Sequence, residues 1–198
     1  MNRLIVRIAL TVIIVVLGYL VVESIMGPVR FQRDLDQRRR VVVDRLKDLR
    51  SIQLTYRSLY NVYFSDFDTM LHFLKNEKIP VVKIIPDPAD TTFTRTIVDT
   101  IAFVNAADSL LKHARYPTDS LPYIPFSGGK RFELDAGRIE RGGVMVNVFE
   151  ARAHLNTFMA GMNEQMLRNM VASQEQINNY PGLRVGSMTE PSTDGNWE

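Results

Sequence analysis

The first apolar run, Leu4 to Val22, reads LIVRIALTVIIVVLGYLVV and carries a single charge, Arg7. At about 1.5 Å per residue it extends roughly 28 Å, close to the ~30 Å hydrocarbon core of a bilayer. Arg7 lies near its start, where the side-chain stem reaches back toward the headgroups. The run exceeds the apolar region of a cleaved signal peptide, and no small-x-small site follows it. The pattern predicts an uncleaved signal anchor over residues 1–27, membrane helix included. Gly27-Pro28 is expected to end that helix, because proline has no amide donor to continue the ladder.

A helical stalk is expected next, over residues 28–64, with Asp34 or Asp36 as its cap. Within it Val42, Leu46, Leu49, Gln53, Tyr56, Tyr60 and Tyr63 recur at spacings of 4, 3, 4, 3, 4 and 3. That is a heptad seam, with Arg45, Lys47, Asp48 and Arg50 on other faces. Two occupants suit it: the chain's own body, or a helix from another copy or a partner.

The remaining stretch, 65–198, reads as a small α+β soluble domain. Asp66 starts a short helix with Phe67, Met70, Leu71 and Leu74 on one face. Ile79 to Ile85 is β-branched and apolar and reads as a strand, stopped by Pro86-Asp87-Pro88. Thr92 to Phe103 has strand propensity, and Asn105 caps a brief helix through His113. Tyr116 to Gly129 is proline- and glycine-rich, hence an extended loop. Phe132 and Leu134 alternate with charges, Ala136-Gly137 turns, Gly142-Gly143 turns again, and Val144, Val146 and Val148 alternate. Together these predict an antiparallel β-meander. Apolar residues at 155, 158, 159, 162, 166 and 170 fit a helix, although Gln165–Val171 also suits a last strand. Leu183 and Val185 are expected to continue the sheet or line its edge.

Composition sharpens this picture. The chain has 198 residues, 24 Lys+Arg, 22 Asp+Glu and no Cys. That length suits one ordinary domain plus an appendage. Ten basic and five acidic side chains fall in residues 1–50, against fourteen and seventeen beyond. A basic membrane-proximal segment therefore leads into a mildly acidic body. The near-balanced charge excludes a histone-like nucleic-acid binder, and the absent thiols exclude disulfides, cysteine-ligated metals and thiol catalysis. The more positive amino flank predicts a cytoplasmic N-terminus and, in a two-membrane bacterium, a periplasmic body anchored in the inner membrane by one pass.

Catalytic patterns are sparse. His72, His113 and His154 stand far apart with no HxxxH or HExxH pairing, so no metal site is expected. No GxSxG elbow exists. Ser127-Gly128-Gly129-Lys130 lacks the phosphate-loop spacing and reads as a turn. Asp66/Asp68 and Asp87/Asp90 are explained by capping and turns. Met159, Met162, Met166 and Met170 form a stripe at helical spacing, either core or an adaptable docking surface. Arg38, Arg39 and Arg40 suit anionic headgroups, an acidic partner or a solvated helix start. No catalytic residue and no cofactor is expected.

Two segments carry a resemblance: RLKDLRSIQLTYRSLYNVYFSDFDTMLHFLKNEKIPVV, residues 45–82, and YPGLRVGSMTEPSTDGNWE, residues 180–198. With YIPFSGGKRFELDAGRI, 123–139, and VFEARA, 148–153, they resemble a family of uncharacterised single-pass envelope proteins from Bacteroidota. The resemblance implies no activity and no functional residue; a looser likeness links it to energy-transducing membrane complexes of the TonB–ExbB–ExbD kind. The order of apolar N-terminal helix, stalk and β-meander is also similar to type IV pilins and pseudopilins. Two features depart from them: no Gly-Phe processing site precedes the apolar run, and Gly27-Pro28 interrupts the helix.

The expected function is non-enzymatic: an accessory or structural subunit of an envelope complex, with a pseudopilin-like secretion subunit as the alternative. Expected partners are other inner-membrane and periplasmic proteins and the lipid bilayer, with no nucleic acid and no small-molecule substrate. Thr11 and Gly18, seven residues apart, offer a membrane-helix face for close approach. The tail 186–198 has a disordered composition, yet Trp197, the only tryptophan, stands next to its end. Burying an indole contributes roughly 2–3 kcal/mol, so Trp197 is expected to dock on the body or on a partner.

Overall fold

The computed structural model describes residues 2–86 and 96–198 and is α+β, with a long N-terminal helix and antiparallel sheets. Helix α1 runs unbroken from Asn2 to Tyr60, 59 residues or about 88 Å, with Pro28 inside it. The break expected at Gly27-Pro28 is absent, and Asp34 and Asp36 are mid-helix residues rather than caps. Proline there removes one donor, but the helix is stabilised on both sides. The apolar span precedes it, and Phe31 and Leu35 already pack on the body's core. Membrane helix and stalk are thus one element.

From Leu35 onward α1 is the central helix of the body. Val42, Leu46, Leu49, Ile52 and Gln53 have no exposed surface. Asn61 ends the helix in the left-handed region (φ 58°), its amide donating to the Arg57 carbonyl at 2.8 Å. The chain then turns back, and the buried Gln53 amide grips it: Nε2 donates to the Phe64 carbonyl at 2.9 Å and Oε1 accepts from the Phe64 amide at 2.8 Å.

Helix α2, Phe67–Asn76, is capped by Asp66, which accepts from the Thr69 amide at 2.7 Å and its hydroxyl at 2.9 Å. It buries Phe67, Met70, Phe73 and Leu74. Strands β1, Lys78–Pro86, and β2, Thr96–Asn105, pair antiparallel as a separate two-stranded ribbon with a bulge between Val81 and Val82. Asp87, Asp90 and the Thr92–Arg95 part of the expected strand lie outside the described residues. Helix α3, Ala106–Leu110, is capped by Asn105 and stops short of His113.

The second sheet contains β3, Glu133–Arg141, β4, Val144–His154, and β5, Gly182–Gly186, in that order and antiparallel throughout. Ala136-Gly137 is not a turn: both residues sit inside β3, opposite Phe149 and Val148. A Cβ on Gly137 would come within 3.2 Å of the Met188 methyl, the end of a flexible side chain. The single hairpin turn is Gly142-Gly143, both at positive φ. Helices α4, Leu155–Phe158, and α5, Glu164–Gln176, link β4 to β5, which makes Gln165–Val171 helical. The core lies between α1, α2 and the sheet face carrying Phe149, Ala151, Ala153, Leu183 and Val185.

Candidate interaction surfaces

The arginines of α1, which spacing alone would leave in solvent, bind loop carbonyls. Arg38 donates to the carbonyls of Phe158 and Ala160, each at 3.0 Å, closing the end of α4. Arg45 is buried, donates to Ser120 and Tyr123 carbonyls, and lies 3.4 Å over the Tyr116 ring. Arg50 donates to the Thr193 carbonyl at 3.4 Å and pairs with Glu198 at 2.8 Å. Beside Arg45, the Tyr116 hydroxyl donates to Asp48 at 2.5 Å. Burial raises the Asp48 carboxyl above its ordinary range, opposed by the Tyr116 hydrogen bond and by Arg45. Burial, with Asp48 adding, raises the Tyr116 hydroxyl as well. This cluster joins the 113–116 segment to α1 along an open groove also lined by Val41, Asp44 and Lys47.

The heptad positions divide. Val42, Leu46, Leu49 and Gln53 are fully occupied by the chain's own body, so a seam for another copy's helix is not available at those four. Tyr56 is half-buried and stacks on Phe64, Tyr60 is half-exposed, and Tyr63 lies past the helix end against Phe149. The Met stripe is similar: Met159 is buried, while Met162 and Met170 pack partly on the core. Met166 and Met170 line a shallow cleft with Pro28 and Phe31.

The tail forms a small lattice on β5. Gly195 bridges Val185, and the Asn196 side chain accepts from the Arg184 amide at 3.1 Å and donates to the Gly182 carbonyl at 2.9 Å. Trp197 packs partly buried on the core, beside Arg39, Arg40, Val43, Asp44 and Lys47 of α1. A Cβ on Gly195 would lie 2.3 Å from the indole, so only glycine fits beneath the ring. The indole Nε1 is buried with no hydrogen-bond partner among the described residues. Asn196 and Arg50, which hold this tail, carried no signal in the sequence reading.

The apolar segment of α1 has an 18-residue window of mean hydropathy 2.8, none of it covered by the body, so it is long and apolar enough to cross a membrane. Thr11 donates its hydroxyl to the Arg7 carbonyl at 3.0 Å, and a Cβ on Gly18 would meet nothing within 4 Å. At about 100° per residue, Gly18 stands roughly 100–140° around the helix from the stripe of Leu35, Val42 and Leu49. Val43 and Lys47, however, stand within about 20° of Gly18, so the Thr11–Gly18 face lies in line with the side of α1 on which Trp197 packs.

The other candidates have local roles. His154 Nδ1 accepts from the Asn156 amide at 3.1 Å as the cap of α4, His113 lines the Asp48 groove, and His72 is exposed. Among the described residues no group of three or more His, Asp and Glu is placed to hold a metal ion. Ser127 closes the 124–130 turn, donating to the Ile124 carbonyl at 2.6 Å and accepting from the Lys130 amide at 3.0 Å. Asp68 stands 3.8 Å from Arg131.

One surface was missed. The β1–β2 ribbon joins the body through α2 and α3, at its base, where the Asn105 side chain donates to the Lys75 carbonyl at 3.2 Å. Beyond that base the described apolar side chains face solvent: Ile101 is 60% and Phe103 66% exposed, and Val81, Val82 and Val104 are also open. The signal was an apolar run without alternation, which predicts burial on both faces. Here no described element supplies the cover. Comparison with protein-family models, with curated proteins and with solved structures finds no match.

Proposed function

We propose that this protein is a non-catalytic, single-pass inner-membrane subunit of an envelope assembly, N-terminus in the cytoplasm and body in the periplasm. The observation that carries the reading is the uncovered apolar ribbon on a body mounted directly on a membrane-spanning helix. Large exposed apolar surface in a folded protein marks a site of association. The Thr11–Gly18 face, with no side chain on Gly18 and nothing within 4 Å of a Cβ there, is a surface available to a neighbouring membrane helix. An ion-driven energy-transducing or secretion machine is the kind of assembly such a subunit would serve, in line with the resemblance to Bacteroidota envelope proteins. Extraction from native membranes in mild detergent, followed by affinity purification, tests this. Stoichiometric partners are expected; recovery of the chain alone, reproducibly, defeats it. Protease added outside spheroplasts is expected to degrade the body and spare the anchor.

The alternative, a pseudopilin-like filament or secretion subunit, is favoured by one observation: α1 continues through Pro28 as a single long helix. It requires amino-terminal processing. An intact mass corresponding to a chain that retains Met1 counts against it.

A further inference from the structure

We propose that the outer edge of β2 pairs with the β2 edge of a second copy of this chain, joining two ribbons into one four-stranded sheet. This rests on the reading of the protein as an assembly subunit and names the occupant of its ribbon. A two-stranded ribbon alone is marginal in water, and this one exposes apolar side chains on both faces. Its two edges differ. Strand β1 carries Pro80 and ends on Pro86, and proline on an edge removes the donors that another strand would need. Strand β2, TIVDTIAFVN, has no proline and one charge, Asp99, which stands opposite Lys83 in the ribbon. The open edge therefore asks for an extended, nearly uncharged strand rich in β-branched and aromatic residues.

β2 itself meets that description. A two-fold through Thr100 sets Asp99 opposite Ile101 of the other copy, so the like charges do not face each other. The anchor adds a geometric reason. Because α1 is one helix from the span into the body, copies in one membrane carry their ribbons at the same height. Confinement to a plane raises the effective concentration of each ribbon for the next.

The chain contains no cysteine, so single-cysteine variants of the full protein in membranes report this contact directly. Each position from Asp99 to Val104 is changed to Cys in turn and mildly oxidised. Disulfide-linked dimer is expected to peak at Thr100→Cys, the residue on the two-fold, and to fall off on either side. The peak should exceed Val81→Cys on β1 and Ser173→Cys on α5 by about fivefold or more, as a register-specific strand pair requires. Adding Phe103→Asp to Thr100→Cys should lower the yield by about tenfold, by placing a charge on an apolar pairing face. Yields no higher than the two controls overturn the proposal. An adduct to a different polypeptide also overturns it, while leaving the assembly reading intact; absence of cross-links together with purification as a lone chain defeats both.

Discussion

The two sheets obey different rules. In β3–β4–β5 the side chains alternate. Leu134, Ala136, Phe149, Ala151, Leu183 and Val185 face the core, and Glu133, Asp135, Glu150, Arg152 and Arg184 line the other side. That outer side is a ladder of opposite charges, with Arg152 3.2 Å from Glu133 and 3.3 Å from Asp135. Most of that sheet is covered or paired within the chain. The exceptions are Val144 and Met145, exposed at the hairpin end, and the Arg152 Nε, which is buried without a hydrogen-bond partner among the described residues. The β1–β2 ribbon has no such alternation, and its exposed valines, isoleucine and phenylalanine are satisfied by nothing described. The contrast separates surface that makes the fold from surface that the fold presents.

The strongest way to break this contrast is to damage the self-sufficient side. Leu46→Ala, at a position with no exposure, should cost about 2–5 kcal/mol in denaturant unfolding of the full chain in detergent. Gln53→Leu should cost about 1–3 kcal/mol for each Phe64 backbone group left without its partner. Asp66→Ala removes a helix cap and should cost about 0.5–2 kcal/mol. On the other side, Phe103→Ser should leave unfolding within about 0.5 kcal/mol, since a 66% exposed ring contributes little to the body. A large loss there would show that the ribbon belongs to the core after all.

The two perturbed aspartates sharpen the same contrast by pH. Hydrogen bonds from Thr69 hold the Asp66 carboxyl below its ordinary 3.8. Its contribution is present above that value and lost as pH falls through the lower, folded one. Burial holds Asp48 above 3.8. Protonated Asp48 favours the folded state, so its contribution is greatest below 3.8 and lost as pH rises through the folded value. Asp48→Asn should therefore flatten the decline on raising pH, and Asp66→Asn should flatten the decline on acidification. Unfolding midpoints measured from pH 3 to 6 give both slopes.

Local chemistry was legible wherever it acts within a few residues. Asp66 and Asn105 cap helices because a short acceptor side chain precedes each run. Local rules misled where distant packing overrode them: Pro28 stays helical between an apolar span and a core-packed turn, and Gly137 faces Met188 instead of turning. The seam of Val42, Leu46, Leu49 and Gln53 announced a buried face, but spacing does not say what covers it. The arginine contacts were illegible for a different reason. Their acceptors are backbone carbonyls, which every residue carries, so Arg38 and Arg45 left no sequence partner to find. The last case, Leu183–Val185, was readable as sheet, whereas the Asn196 and Arg50 contacts that fasten Trp197 above it depend on the finished fold.

The continuity of α1 through Pro28 has a mechanical consequence. From Val22 to Tyr60 the helix extends about 57 Å beyond the apolar run. With the apolar run spanning a bilayer, as proposed, a tilt of ~10° would become a sideways sweep of roughly 10 Å at the Tyr60 end. A membrane that thins or thickens by a few ångströms changes the tilt a span prefers. The body would then lean by the same angle, carrying its ribbon toward or away from whatever stands beside it.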